Sequence, residues 1–283
     1  MDFTPYQRKL VERAKNYPFG TPDASYLFID GECSPVAFYD EEQPENTALV
    51  VRNIRTSAST LLRQKQIDVS VLRAPRLPVL ASGSNASPTR LREKFDNLRE
   101  ACVIPVIRYS VKNMLPVFSA KLASYGSITA TLQHVPECET QIFATFLTLA
   151  QLERMHETEA IGDEYVFQRL KNLAMRQNGS KECVCRTAYA YISRKGVLAV
   201  NGQQFTLDAT HYSNNNLRYS TQNEALTLAR NLVEPQQGLD FFILQNILHR
   251  QTRDKTNQKL QSFSVPFAYK DAFNTGPSLE ALF

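Results

Sequence analysis

The sequence predicts an α+β protein built around a small mixed β-barrel, with further α/β segments at both ends of the chain. Three observations predict this class. Short runs rich in β-branched and aromatic residues follow one another between residues 102 and 147, with few helical stretches between them. The dipeptide Asn201-Gly202 between two apolar runs is typical of a β-hairpin. The final third has apolar residues at helical spacing.

Residues 1–75 are expected to form an α/β extension packed on the core. A short amphipathic helix is predicted from Pro5 to Lys15, because Leu10 and Val11 lie on one side while Arg and Lys occupy the other. The runs SYLFID and PVAFYD predict a hairpin around Gly31, and NTALVVRNI predicts a further strand.

The predicted core spans residues 76–175. The run IDVSVLRAPRLPVLASG indicates one or two strands interrupted by Pro75 and Pro78. A helix is expected next, with Ser87 as its N-cap and its end near Ala101. Four strands are then predicted, in CVIPVIRYSV, MLPVFSAKLA, GSITATLQHV and TQIFATFL.

Residues 176–283 are expected to add a β-hairpin and a helical segment to the same globular unit. CVCRTAYAYIS alternates as a strand does, and the hairpin turn is placed at Asn201-Gly202. Helices are predicted over Gln222 to Leu232 and Leu239 to His249. The tail NTGPSLEALF is expected to fray or to pack as a cap.

The composition is that of an ordinary globular protein, with 43% apolar and 21% charged residues and a formal net charge of +4. This charge is too small to favour a nucleic-acid partner. No apolar run approaches the ~20 residues that span a bilayer, and the first residues lack the apolar core of a secretory signal. A cytoplasmic protein without a membrane partner is therefore expected, and its oligomeric state is left open. The scattered cysteines and histidines predict no metal site.

The stretch ASGSNASPTRL allows two interpretations. Gly83-Ser84-Asn85 is either a turn before a capped helix or a backbone cradle for a carboxylate or amide oxygen. Glycine permits positive φ and close backbone approach, and a helix beginning at Pro88 offers free N–H groups. Taken alone, the pattern favours the simple turn.

A second segment, FLTLAQLERMHETEAIGDEY, contains a clear helix start. Thr148 and Gln151 have the spacing of a capping box. The apolar face of the helix is then formed by Leu152, Met155 and His156. Glu159 falls on this same face. Such a carboxylate either reaches water at a fraying helix end or, if partly buried, suits a general base.

Together the two segments resemble the γ-glutamylcyclotransferase superfamily. Its members typically carry Tyr-Gly-Ser-Asn after the first strand of a small β-barrel, and a catalytic glutamate in a Leu-Asp-x-x-Glu context followed by a tyrosine. By this match Glu159 is the catalytic acid, and Tyr165 is the tyrosine that follows. The chain departs from the pattern at Ser82, which replaces the tyrosine, and at His156, which replaces the aspartate. The similarity covers about Leu77 to Leu170.

The resemblance implies an enzyme that releases 5-oxoproline and an amine from a γ-glutamyl amide or a related amino-acid conjugate, without a metal or organic cofactor. Glu159 would act as general acid and base. The substrate, a small molecule, would be bound by the loop and two tyrosines: Ser82, Gly83, Ser84, Asn85, Tyr125 and Tyr165. Tyr125 is included because Tyr125-Gly126-Ser127 is a second Tyr-Gly-Ser turn.

Two other functions stay open at this point. The loss of the tyrosine at Ser82 favours a catalytically inactive binding or scaffold protein on the same fold. A nucleic-acid-associated protein is supported only by the slight positive charge and the basic runs RLREKF and HRQTRDKTNQK, and it is the least favoured alternative.

Overall fold

The computed structural model describes residues 2–20, 22–96, 102–208, 210–213, 217–276 and 278–283. Its helices within these ranges are α1 Pro5–Lys15, α2 Ala58–Gln64, α3 Pro88–Phe95, α4 Leu149–Glu159, α5 Gln222–Val233, α6 Leu239–Leu248 and α7 Arg250–Gln261. Its strands are β1 Tyr26–Ile29, β2 Glu32–Phe38, β3 Ala48–Val51, β4 Ile54–Ser57, β5 Leu77–Ala81, β6 Val103–Leu122, β7 Ile128–Leu147, β8 Tyr165–Gln177, β9 Val184–Ser193, β10 Val197–Val200, β11 Gln203–Leu207, β12 Tyr212–Ser213, β13 Arg218–Ser220, β14 Ser264–Val265 and β15 Ala272–Asn274.

Five strands close into a barrel in the order β6-β7-β5-β9-β8, with β8 returning to β6. Neighbouring strands are antiparallel except β5 and β9, which run parallel. The predicted α+β class with a small mixed barrel is therefore confirmed. The barrel strands run from Leu77 to Ser193, so β9 lies beyond the predicted core of residues 76–175. The division of the chain into three segments stays a prediction.

The four strands predicted between residues 102 and 147 are wrong in number, because this region forms only the two long strands β6 and β7. Each strand bends at a residue with positive φ, Asn113 at 61° and Glu137 at 66°. The register between the strands shifts next to Asn113. A β-bulge of this kind bends a strand without ending its pairing, so the apolar pattern was interrupted while the strand continued.

The N-terminal extension follows the prediction closely. Helix α1 has the predicted bounds. Strands β1 and β2 form the hairpin around Gly31, and β1 joins the barrel by pairing with β6. Residues Val69–Leu72, expected as strand, instead form a 3-10 turn, because the Asp68 carboxylate accepts the Ser70 N–H at 3.0 Å. Pro78 does not interrupt the strand but lies inside β5.

Helix α3 starts after Ser87 as predicted, but the expected capping bond is absent. The Ser87 hydroxyl donates to the Phe19 carbonyl at 2.7 Å and so ties the helix start to the N-terminal extension. The helix ends at Phe95, and its expected end at Ala101 lies outside the described residues.

The C-terminal part contains the predicted hairpin and helices, with one addition. Strands β10 and β11 pair across Asn201-Gly202, and α5 and α6 lie where periodicity placed them. Helix α7 was not predicted, because its buried side is reduced to Thr256 and Leu260. Asn257 docks it on the barrel by two hydrogen bonds with the backbone of Leu122.

The tail begins at Asn274, the last residue of the short strand β15, which pairs with β8. Leu279 and Leu282 then pack against the apolar cluster beneath α3 and α4, as expected for a cap. None of the described helices combines the length and the hydropathy that a membrane crossing requires.

The predicted capping box at the start of α4 is present and can be tested. The Gln151 N–H donates to the Thr148 hydroxyl, and the Thr148 N–H donates to the Gln151 side chain at 3.1 Å. We expect Thr148→Ala to lower the free energy of unfolding by about 1 kcal/mol, since one N–H loses its acceptor. Thr148→Ser keeps the hydroxyl and serves as the control. Equal unfolding free energies for the two variants in a urea titration would contradict this role.

Candidate active site

A pocket of about 390 Å³ opens at one end of the barrel. It collects every residue that the sequence assigned to the site, namely Ser82, Gly83, Ser84, Asn85, Tyr125, Glu159 and Tyr165. These residues come from four places in the chain: the loop after β5, the turn between β6 and β7, the end of α4 and the start of β8. The fold thus brings together positions as much as 83 residues apart.

Gly83 is required for space and not for its backbone angle. Its φ is −144°, so the positive φ that glycine permits is not used here. A Cβ at this position would overlap the Tyr17 hydroxyl and would lie 3.2 Å from Cβ of Ala130. The Tyr17 hydroxyl in turn accepts the Ala130 N–H at 2.9 Å. A tyrosine from the N-terminal extension is thereby wedged between the loop and β7.

The loop itself forms a short 3-10 turn over Ser84–Ala86. The N–H groups of Ser84 and Asn85 stand at its beginning and have no acceptor among the described residues. The first N–H groups of any helical turn lack partners within the turn and are free to bind an oxygen.

A buried lysine joins the two halves of the site. The Lys94 ammonium donates to Oδ1 of Asn85 at 2.9 Å and forms an ion pair with Oε1 of Glu159. The Lys94 side chain is 3% exposed and that of Glu159 is 13% exposed, so Glu159 does not reach into bulk water. Burial lowers the pKa of Lys94, and the Glu159 charge opposes this effect.

Lys94 was missed by sequence reasoning, although a signal for it exists. It lies three residues after Leu91 and one before Phe95, which puts it on the apolar stripe of α3. A lysine on a buried stripe requires a partner, and a carboxylate on the facing helix is the expected one.

Tyr165 is held as a neutral hydrogen-bond donor. Its hydroxyl donates to Oγ1 of Thr129 at 3.0 Å, and burial, reinforced by the charge of Glu159, raises its pKa well above the ordinary value. The Lys121 ammonium lies 4.2 Å from the Tyr165 ring centroid and pairs with Glu164 at 2.5 Å. All of these residues line the pocket.

Two further aromatic groups border the pocket. The Tyr125 ring packs edge-on against Phe19 at 5.6 Å, and the guanidinium of Arg90 lies 5.8 Å from its centroid. Tyr191, which was not predicted, contacts Nδ1 of His156 through its hydroxyl at 2.8 Å. Burial lowers the pKa of His156, so the neutral ring is favoured.

The lining carries charges of both signs. Four of the described lining residues are cationic and four are acidic: Arg90, Lys121, Arg250, Arg253, Glu159, Asp163, Glu164 and Asp254. Helix α7 contributes three of these at the mouth of the pocket. A balanced set of this kind suits a ligand that carries both an ammonium and a carboxylate group.

Comparison with known proteins gives a distant structural likeness. No family model and no curated protein sequence matches the chain. A solved γ-glutamyl cyclotransferase is similar with a TM-score of 0.34 and 14% identity, over 73% of this chain and 97% of that one. A human protein described as uncharacterized is similar with a TM-score of 0.34 and 14% identity, over 74% of this chain and 98% of that one. Neither likeness is close enough to indicate a function.

The contact between Gly83 and Tyr17 predicts the effect of one methyl group. We expect Gly83→Ala to lower the free energy of unfolding by about 1–3 kcal/mol, because the loop and the tyrosine cannot both keep their positions. In a Tyr17→Phe background the cost is expected to be smaller, since the overlapping hydroxyl is gone. The same cost in both backgrounds, measured by urea unfolding, would show that the two residues do not compete for this space.

His156 predicts a pH effect on stability. Its pKa is lower in the folded protein than the ordinary 6.5, so the unfolded chain binds a proton that the folded chain resists. The stabilisation is therefore complete above about pH 6.5 and declines as the pH falls through the folded pKa. We expect His156→Gln to reduce the slope of unfolding free energy against pH in the range below 6.5. An unchanged slope, in titrations matched for buffer and salt, would rule out this contribution.

Proposed function

We propose that the protein is a γ-glutamylcyclotransferase-like enzyme, which releases 5-oxoproline and an amine from a γ-glutamyl amide or a related amino-acid conjugate. One observation carries the proposal: a nearly buried carboxylate, Glu159, shares a pocket with a loop that offers unpaired N–H groups. A proton acceptor beside oxyanion donors is the arrangement that acyl transfer by an amine requires.

The pocket suits the γ-glutamyl group in size and charge. Its volume of about 390 Å³ lies in the range of small-ligand sites. The α-carboxylate of the substrate would be bound by the cationic side chains of the lining, and the α-amine would face Glu159. Holding the chain folded in this way makes positioning a large part of the catalysis.

The reaction is an internal aminolysis. The α-amine of the glutamyl group attacks its own side-chain carbonyl carbon, forming the new C–N bond of a five-membered ring. The oxygen of the tetrahedral intermediate would be stabilised by the N–H groups of Ser84 and Asn85. Glu159 takes a proton from the attacking amine and returns it to the departing one, and the old C–N bond breaks. Atoms and charge balance without any cofactor.

Lys94 would act as a positioning residue for this step. It binds only Oε1 of Glu159, and Oε2 has no hydrogen-bond partner among the described residues. One oxygen would thus fix the carboxylate while the other exchanges the proton. Through Oδ1 of Asn85, the same ammonium ties the acid to the oxyanion loop.

The proposal predicts the release of 5-oxoproline from at least one member of a panel of γ-glutamyl amides. Glu159→Gln is expected to reduce kcat by about 10²–10⁴-fold, since the amide cannot accept a proton. Glu157→Gln is the matched control, because Glu157 lies on the same helix and pairs with Arg154 at the surface. Undiminished turnover in Glu159→Gln would refute the mechanism, and a large loss in both variants would point to damage to α4.

One observation favours the alternative of a non-catalytic binding protein. Glu159 already has a charged partner in Lys94, as a purely structural ion pair would. Met155 separates the two functions, because its sulfur lies 3.2 Å from the Lys94 nitrogen and its methyl resonance reports on the ion pair that holds Glu159. A γ-glutamyl compound that shifts this resonance without yielding 5-oxoproline would establish binding without catalysis.

A further inference from the structure

A second cavity, of about 630 Å³, lies at the opposite end of the barrel. Three barrel strands reach both spaces, each with opposite ends. Strand β5 borders the second cavity at Pro78 and leads into the first pocket after Ala81. Strands β8 and β9 border the first pocket at Tyr165 and Tyr191 and the second cavity at Met175 and Arg186. Among the described residues, the two spaces share no lining residue. The second cavity is therefore independent of the site proposed for catalysis.

One wall of this cavity is aromatic. The Tyr39 and Phe146 rings lie with their centroids 4.8 Å apart, and the Tyr109 ring lies 6.5 Å from Phe146. All three side chains are buried in the fold, so only a small part of each ring faces the cavity, and the packing around it holds that part in place. Such a wall offers a rigid surface for a flat apolar group.

Most charges at the cavity cancel in pairs. Arg73 pairs with Glu45 at 2.7 Å, and Arg186 pairs with Glu41, whose carboxylate also accepts the Tyr109 hydroxyl. These four charged side chains leave no net charge behind. Glu42 also lines the cavity, but it is exposed to solvent and has no cationic partner among the described residues.

Arg76 is the partly buried charge of this lining that lacks an oppositely charged partner. Its guanidinium has only neutral acceptors: the carbonyls of Phe146 at 3.0 Å and Val71 at 2.8 Å, and Oε1 of Gln151 at 3.0 Å. No carboxylate of the described residues pairs with it, and its Nε–H has no acceptor. Burial lowers the pKa of Arg76, but a guanidinium stays charged. An uncompensated cation in a partly buried position is costly, and an anion beside it relieves that cost.

We propose that this cavity binds a small aromatic carboxylate, with the carboxylate on Arg76 and the ring against Tyr39 and Phe146. A carboxylate matches Arg76, the partly buried cation of the described lining that lacks an acidic partner, and a planar ring matches the aromatic wall. The cavity volume accommodates a ligand of one or two rings.

Methionine methyl resonances provide the test on the intact chain. Met175 lines this cavity, whereas Met155 lies beside the Lys94 ammonium that holds Glu159 at the first pocket. We expect 2-naphthoate to shift the Met175 resonance, assigned with Met175→Leu, and to leave that of Met155 unchanged. The neutral isostere 2-naphthamide should bind at least about tenfold more weakly, since it lacks the charge–guanidinium contact. Equal binding of the two compounds, or a shift at Met155 alone, would overturn the proposal.

A rim substitution adds a control that does not disturb the core. Arg76 bonds three groups of the fold, so its replacement tests folding together with binding. Thr187 lines the same cavity from an exposed position on β9. We expect Thr187→Glu to weaken 2-naphthoate binding several-fold through like-charge repulsion. Thr187→Gln introduces a neutral side chain of the same shape as glutamate, and it should keep the affinity of the unsubstituted protein. The same affinity in both variants would show that the bound carboxylate is not at this cavity.

Discussion

The buried ion pair between Lys94 and Glu159 is the interaction on which the candidate site depends. The pair joins α3 to α4. The Lys94 ammonium also donates to Asn85, which holds the loop that follows β5. Removing either charge would leave the other uncompensated in a poorly solvated place, which costs several times more than a surface pair contributes. Such a contact fixes one arrangement of loop and helix and so gives the pocket a defined shape.

Helix α4 relates this pair to the rest of the barrel. Its last residue, Glu159, faces the first pocket, and Gln151 in its first turn accepts a hydrogen bond from Arg76 at the second cavity. Gln151 also donates to the Val103 carbonyl of β6, which anchors the helix start to the barrel. One helix therefore borders both ends of the barrel, and its capping box fixes the residue at which the helix starts.

Local signals in the sequence predicted much of the fold. The capping box at Thr148, the Asn201-Gly202 turn and the stripe ending at Glu159 each depend on neighbouring residues, and each is present in the structure. Interactions between distant segments could not be predicted in this way. The wedge of Tyr17 against Gly83 and the pairing of Lys94 join residues 66 and 65 positions apart, and periodicity carries no information at that range. Likewise, the irregular pairing at Asn113 and Glu137 hid the continuity of β6 and β7.

The most direct test of the ion pair is a double-mutant cycle on Lys94→Met and Glu159→Gln, read out as free energies of unfolding in urea. A coupling energy above about 1 kcal/mol is expected, because each single substitution leaves the other side chain buried without its ion-pair partner, whereas the double substitution removes both. The double variant should then be more stable than the sum of the single losses implies. Losses that add within about 0.5 kcal/mol would contradict the pair as the organising contact of the site.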